Sequence, residues 1–243
     1  MLSKLKYEIA DYRLLLKNVP AITLVFFVLS VVFMNIFAGK ELLNVDYLAL
    51  DCGFLLSWMS FLCMDMLTKR FGAKAAIKLS ILSLIINLVC CGIFAIIAHL
   101  GNNWSVYYTY DSEIANLALD VTFGGTWYVL LGSTTAMFVA SIVNALLNVA
   151  VGKLCKKDNF VTYALRSYVS TAIGQFVDNL LFALIVSVVF FGWTWIQVIM
   201  CSITGAVAEL LAEVIFSPIG FKVCKRWNKE NIGKEYLESQ KIQ

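Results

Sequence analysis

Charge is scarce in this chain. Only 14% of its 243 residues are Asp, Glu, Lys or Arg, 60% are hydrophobic, and the mean hydropathy is +0.81. A soluble domain of this length needs far more polar surface to cover itself, so a soluble globular fold is excluded. A bilayer lifts that requirement, because lipid solvates apolar side chains and leaves only the backbone to be satisfied internally. Proline is nearly absent as well. Pro20 and Pro218 both stand near the ends of apolar runs, where a missing backbone donor interrupts a helix least. No Gly/Ser/Pro-rich linker divides the chain, which leaves one bundle rather than several domains. His99 is the only histidine, so no histidine pair can hold a metal. None of the seven cysteines forms a C-x-x-C pair and most lie in apolar runs, where they read as small hydrophobes. No H-E-x-x-H, G-x-S-x-G or G-x-x-x-x-G-K-[ST] pattern is present, so neither an enzyme nor an ATPase is expected, and no cofactor or metal. No basic tract interleaved with aromatics points to nucleic acid.

What is present is a series of apolar runs of membrane-spanning length. They cover residues 19–38, 47–68, 75–98, 127–151, 161–191 and 193–218. A polar stretch, 101–126, separates the third from the fourth, and the fifth is long enough to tilt. The expected fold is an all-α integral membrane protein, a single bundle of about six transmembrane helices. Residues 1–18 form an N-terminal segment, 19–221 the bundle and 222–243 a C-terminal tail, polar and expected to fray from Asn228 onward. The first run is longer than a signal-peptide core and more spans follow it, so it reads as a mature helix. Residues 8–17 are weakly amphipathic and suit the membrane interface.

The basic residues orient this layout. Lys4, Lys6, Arg13 and Lys17 precede the first run; Lys69, Arg70, Lys74 and Lys78 bracket the second connection. Lys153, Lys156 and Lys157 lie between the fourth and fifth, and Lys222, Lys225, Arg226, Lys229, Lys234 and Lys241 follow the sixth. With six spans all of these fall on one side, and only Lys40 on the other. By the positive-inside rule both termini are cytoplasmic. The connection carrying Trp104, Asp111, Glu113 and Asp120 then faces outward.

Polar side chains inside the runs are the candidate functional residues, since each ionised group costs roughly 2.5–3.5 kcal/mol on insertion. The second run holds Asp51 and Asp65, fourteen residues apart and therefore expected on one helix face, with Trp58 midway. The third holds Asn87, and the fourth Asn144 and Asn148, one turn apart. The fifth holds Arg166, Ser170, Thr171, Gln175, Asp178 and Asn179; the sixth holds Glu209 and Glu213, one turn apart. Thr171, Gln175, Asp178 and Phe182 form one stripe. Arg166 and Asp178 lie about 18 Å apart along a helix axis, too far to pair, so Arg166 needs an acidic partner among Asp65, Glu209 and Glu213. For Asn87, Asn144 and Asn148, helix packing is at least as good an account as ligand contact, and Ser170-x-x-x-Gly174 is a small-x-x-x-small packing pattern.

The segment Leu165-Arg166-x-x-x-Ser170-Thr171-x-x-x-Gln175-x-x-Asp178-Asn179-x-x-Phe182 resembles the LR-x-x-x-ST-x-x-x-Q-x-x-D-[TN]-x-x-F signature of the queuosine-precursor transporter family, also called the vitamin-uptake-transporter-like family. Met64-Asp65 through Gly72 is similar to that family's exit from an early span, and Glu213 through Pro218 to the end of its last span. Two positions depart from the family's pattern: Glu209 where many members carry Lys, and Asn179 where many carry Thr. The resemblance implies import of a 7-deazaguanine base such as preQ0, preQ1 or queuine across the plasma membrane by alternating access. The alternative is a substrate-binding membrane subunit of an energy-coupling-factor-type vitamin importer. A carboxylate of Asp178, Glu209 or Glu213 suits the paired N–H and NH2 donors of such a base. Gln175, Asn144 and Asn148 suit its acceptor edge, and Phe182 or Trp58 its ring. Arg166, Ser170, Asp65 and Asp51 are expected to be structural or gating. The partners implied are the small-molecule base, the lipid bilayer and a second copy in a homodimer.

Overall fold

The computed structural model describes residues 2–38, 40–100, 112–124, 127–154, 159–190 and 192–241. Trp104, Asp111, Lys156 and Lys157 lie outside the described residues. The chain begins with α1 (Leu2–Asn18), α2 (Ala21–Phe37) and a hairpin of β1 (Glu41–Val45) and β2 (Leu48–Asp51). Next come α3 (Phe54–Phe71), α4 (Ala73–His99), α5 (Ser112–Gly124) and α6 (Trp127–Leu154). Then follow α7 (Phe160–Phe182), a π-helical turn (Ala183–Ser187), α8 (Val188–Phe190), α9 (Trp195–Lys229) and α10 (Lys234–Lys241).

Four described helices are long and apolar enough to cross a membrane: Ala73–His99, Leu131–Leu154, Phe160–Ser187 and Trp195–Lys229. A fifth is obtained if Lys6–Asn18 and Ala21–Phe37, bent by 105°, are one span. The expected six therefore reduce to four or five on length and composition. The shortfall falls on α2, only 17 residues long, and on α3, whose 18 residues include Asp65, Lys69 and Arg70.

The second run is not one helix. Residues Tyr47–Asp51 belong to the hairpin, in antiparallel register Val45↔Leu48 and Asn44↔Ala49. The two-residue connection Asp46-Tyr47 reverses the chain, and the helix starts only at Phe54. Asp51 is thus a strand residue and does not share a helix face with Asp65. Ala49 anchors the hairpin against Ala183, Trp193, Val198 and Cys201. Gln197 donates to Val45 O at 3.0 Å, and the Trp193 indole to Glu41 at 3.3 Å.

Two other expectations are corrected. The stretch read as a polar connection contains α5, whose Phe123 ring packs 5.4 Å from Phe94. The sixth run does not stop at Pro218; α9 continues for eleven residues beyond it to Lys229. Pro218 cannot donate to the Val214 carbonyl, and Ser217 Oγ donates there instead at 3.3 Å. The polar face of the capping box also helps start this helix, with Thr194 accepting from the Gln197 backbone and the Gln197 side chain accepting from Thr194 N.

Basic residues end α3 (Lys69, Arg70), α6 (Lys153) and α9 (Arg226, Lys229), at the end of the bundle opposite the hairpin. There the supposed tail folds back. Arg70 donates to Ile232 O at 2.8 Å and to Asn228 at 2.8 Å. Tyr236 on α10 is buried against Phe71, and Gln240 donates to Asp11 on α1 at 2.6 Å. Lys78 holds α1 with ion pairs of 2.6 Å to both Glu8 and Asp11. Burial drives this order: Leu15, Phe71, Trp227 and Tyr236 share one apolar cluster with Phe27, Leu67 and Leu79.

Candidate functional site: two carboxylate clusters on one polar seam

Close helix approach at glycines brings the polar side chains together. At Gly174 of α7 a Cβ would meet the Phe61 ring at 2.8 Å and Asn144 Cβ at 3.1 Å. At Gly205 of α9 it would meet the Asn179 amide at 2.7 Å, and at Gly152 of α6 the Arg166 guanidinium at 2.7 Å. Small residues let membrane helices pack at backbone distance. Here they draw α3, α6, α7 and α9 around a polar seam.

At the basic end the centre of the seam is Asp65, wholly buried on α3. Its Oδ1 accepts from Asn144 at 3.0 Å, Asn148 at 2.9 Å and Ser170 at 3.2 Å. Its Oδ2 accepts from Thr171 at 3.3 Å and from the Ser167 hydroxyl. Ser167 also contacts Glu213 Oε1, while Glu213 Oε2 is buried without a partner. The expectation that Arg166 pairs directly with Asp65, Glu209 or Glu213 does not hold. Its guanidinium donates to Asn148 O at 3.1 Å and Asn148 Oδ1 at 2.7 Å. The Asn148 amide has a donor and an acceptor end, so it relays between the cation and Asp65 and removes the need for direct contact.

At the hairpin end Asp178 lines a small cavity with Asp51, Glu209, Asn179, Phe182 and Ser57. Asp178 is buried, and among the described residues no hydrogen bond reaches its carboxylate. Glu209 accepts from the Ser57 hydroxyl through Oε1, and its Oε2 has no partner. Asp51 arrives from the hairpin and accepts from Gly53 N at 2.7 Å. The cavity has room for about 20 Å³, little more than one water molecule. Just beyond Phe182 the helix widens into its π-turn, an irregularity that often marks functional positions.

Gln175 joins the two clusters, four residues after Thr171 and three before Asp178. It is fully buried, and neither its amide oxygen nor its nitrogen has a partner. The candidate residues are thus divided. Asp178, Glu209, Phe182 and Asp51 meet at the hairpin end; Asp65, Glu213, Asn144, Asn148, Ser170 and Arg166 meet at the basic end. Trp58 joins neither cluster: it stacks on Phe216, with centroids 4.2 Å apart. Sequence reasoning passed over Ser57 and Ser167. Lone serines in apolar runs carry little signal, although Ser57 lies eight residues, two turns and a little more, before Asp65.

A bundle of apolar helices with carboxylates kept along an internal seam defines a polytopic helical membrane protein. Charged groups at that depth mark substrate or ion pathways. The family model described as "Putative vitamin uptake transporter" matches residues 51–223, and the chain belongs to that family. No curated protein and no solved structure matches the chain.

Proposed function

We propose that the chain is a carrier, not an enzyme, that imports a 7-deazaguanine base across the plasma membrane by alternating access. The observation that carries this reading is the Asp178 carboxylate, buried without a hydrogen bond from any described residue and facing a cavity shared with Asp51, Glu209 and Phe182. A carboxylate with unspent acceptor capacity suits the adjacent N–H and NH2 donors of such a base. Phe182 offers a ring face, and Gln175 has both ends of its amide free one turn away. A cavity of about 20 Å³ must open before a bicyclic base can enter, as alternating access requires. In this reading α2 and α3 cross with the four longer helices, giving six spans and both termini in the cytoplasm. The hairpin then faces outward, which suits a sheet whose open edges cannot sit in lipid.

The test is uptake in a strain unable to make queuosine, read as queuosine in tRNA after each candidate base is fed. Asp178→Asn keeps the shape but turns one acceptor into a donor facing the donors of the base. It is expected to abolish uptake at unchanged expression by immunoblot, and Asp178→Glu to weaken it less. Wild-type uptake by well-expressed Asp178→Asn rejects the role of this residue. Uptake by the purified chain alone in vesicles separates a self-sufficient carrier from a binding subunit that needs an ATP-driven partner.

A further inference from the structure

The cluster at the basic end has a hydrogen-bond count that does not close with two ionised carboxylates. Ser167 Oγ lies within hydrogen-bond reach of both Asp65 Oδ2 and Glu213 Oε1. A hydroxyl carries one hydrogen and can donate to only one of them. Two carboxylates bridged this closely through one oxygen cannot both be ionised in an apolar interior without a large cost. One must carry a proton and donate it to Ser167 Oγ, while Ser167 donates its own to the other.

The surroundings decide which. Asp65 is approached by Asn144, Asn148, Ser170 and Thr171 besides Ser167. Glu213 has Ser167 alone, and its second oxygen is buried without a partner. Five donors suit an anion, whereas a single contact and an orphan oxygen suit a neutral acid. From α3 the other titratable neighbour is Cys63, and from α7 Tyr163; Arg166 precedes Ser167 on α7, and Glu209 stands one turn before Glu213 on α9. α6 contributes the neutral Asn144 and Asn148. The fixed positive charge is Arg166, and it reaches Asp65 only through Asn148, so it favours the anion on Asp65 rather than on Glu213.

We infer that Glu213 holds a proton that it donates through Ser167 to ionised Asp65, and that this pair is the proton-coupling site of the carrier. The inference rests on the transport reading above for the word coupling, but not for the site. Transfer along the relay breaks the Glu213 O–H as the Ser167 oxygen gains that proton. Ser167 passes its own hydrogen to Asp65, so charge moves between the acids with no net change. Loss of the proton to the cytoplasm leaves two anions across one hydroxyl, a state the helices can relieve by separating α9 from α3 and α7. Proton binding is thereby tied to the packing of α9, which also carries Glu209 to the other cluster, one turn away.

The experiment uses the full chain in proteoliposomes. Glu213→Gln mimics the protonated acid in shape and donor capacity. It is expected to retain exchange of labelled base across the membrane but to lose accumulation driven by an inward proton gradient. Ser167→Ala removes the relay and should shift the pH midpoint of accumulation while exchange persists. Accumulation by Glu213→Gln equal to wild type, or wild-type accumulation that follows a sodium gradient and ignores pH, overturns the proposal and leaves transport intact. If the wild type exchanges no base, the transport reading fails instead. Infrared difference spectra then decide the site on their own: one component of the protonated-carboxyl stretch at neutral pH must be lost in Glu213→Gln and kept in Asp65→Asn, whatever Glu209 and Asp178 add to the band. Its persistence in Glu213→Gln, with no difference from wild type, refutes the shared proton.

Discussion

The two carboxylate clusters are built from the same residue types and differ in how far the protein satisfies them. Around Asp65 five side chains on α6 and α7 supply donors. Around Asp178 none of the described residues supplies a hydrogen bond, and Glu209 has one donor for two oxygens. A buried carboxylate with a full set of donors fixes the helices that bring them. One without donors destabilises the fold unless something else completes it. The basic end therefore holds the bundle together, and the hairpin end is where a ligand has interactions to gain.

The largest test of that contrast is Asp65→Ala. It removes the acceptor shared by five donors, leaving Asn144 and Thr171 with no other, and destabilisation of about 3–5 kcal/mol is expected, as when one partner of a buried charged network is removed. Thermal or denaturant unfolding of the purified protein in detergent measures it; a loss below about 1 kcal/mol would erase the difference between the ends. Arg166→Ala removes two hydrogen bonds to Asn148 and should cost about 1–3 kcal/mol in the same assay. Because Asn148 stands between, neutralising Glu209 is expected not to rescue it. Arg166→Lys should recover little, since a point charge does not reproduce the fork.

Gln175→Leu probes the junction of the two clusters. Replacing a buried amide whose two ends lack partners should leave stability unchanged or raise it by about 1 kcal/mol, while uptake falls. Loss of both would show that the amide has packing value in the resting fold. Asp178→Asn should alter stability by less than about 1 kcal/mol, against the large effect at Asp65.

The smallest effect is expected at the α1 clamp, far from either cluster. Lys78 hydrogen-bonds the Glu8 carboxylate and holds its pKa below the ordinary 4.5. A depressed carboxylate stabilises the fold above its unfolded pKa and loses that contribution as pH falls through the folded value. Docking of α1 should therefore weaken only below about pH 4.5. The change is small because the Glu8 side chain stays half-exposed to solvent. Hydrogen exchange of α1 at neutral and acid pH reads it; equal protection at both would remove Glu8 from the clamp.

The sequence by itself determined the membrane class, the positions of the long apolar helices and the stripe from Thr171 to Phe182. These depend on local hydropathy and on helical periodicity, which any stretch of chain displays without its neighbours. It also marked Asp65, Asp178, Glu209 and Glu213, because charge in an apolar run is conspicuous wherever the run packs. Only the tertiary structure decided how those charges are grouped. Asp51 reaches the Asp178 cavity from a β-hairpin, which a hydropathy window merges with the helix that follows. Arg166 reaches Asp65 through Asn148, and Ser167 joins Asp65 to Glu213 across three helices. The C-terminal residues form a helix because Tyr236 finds a pocket beside Phe71, a contact 165 residues away in the chain. Hydrogen bonds and burial between distant segments depend on how closely the helices approach, and here glycines at 152, 174 and 205 set that approach.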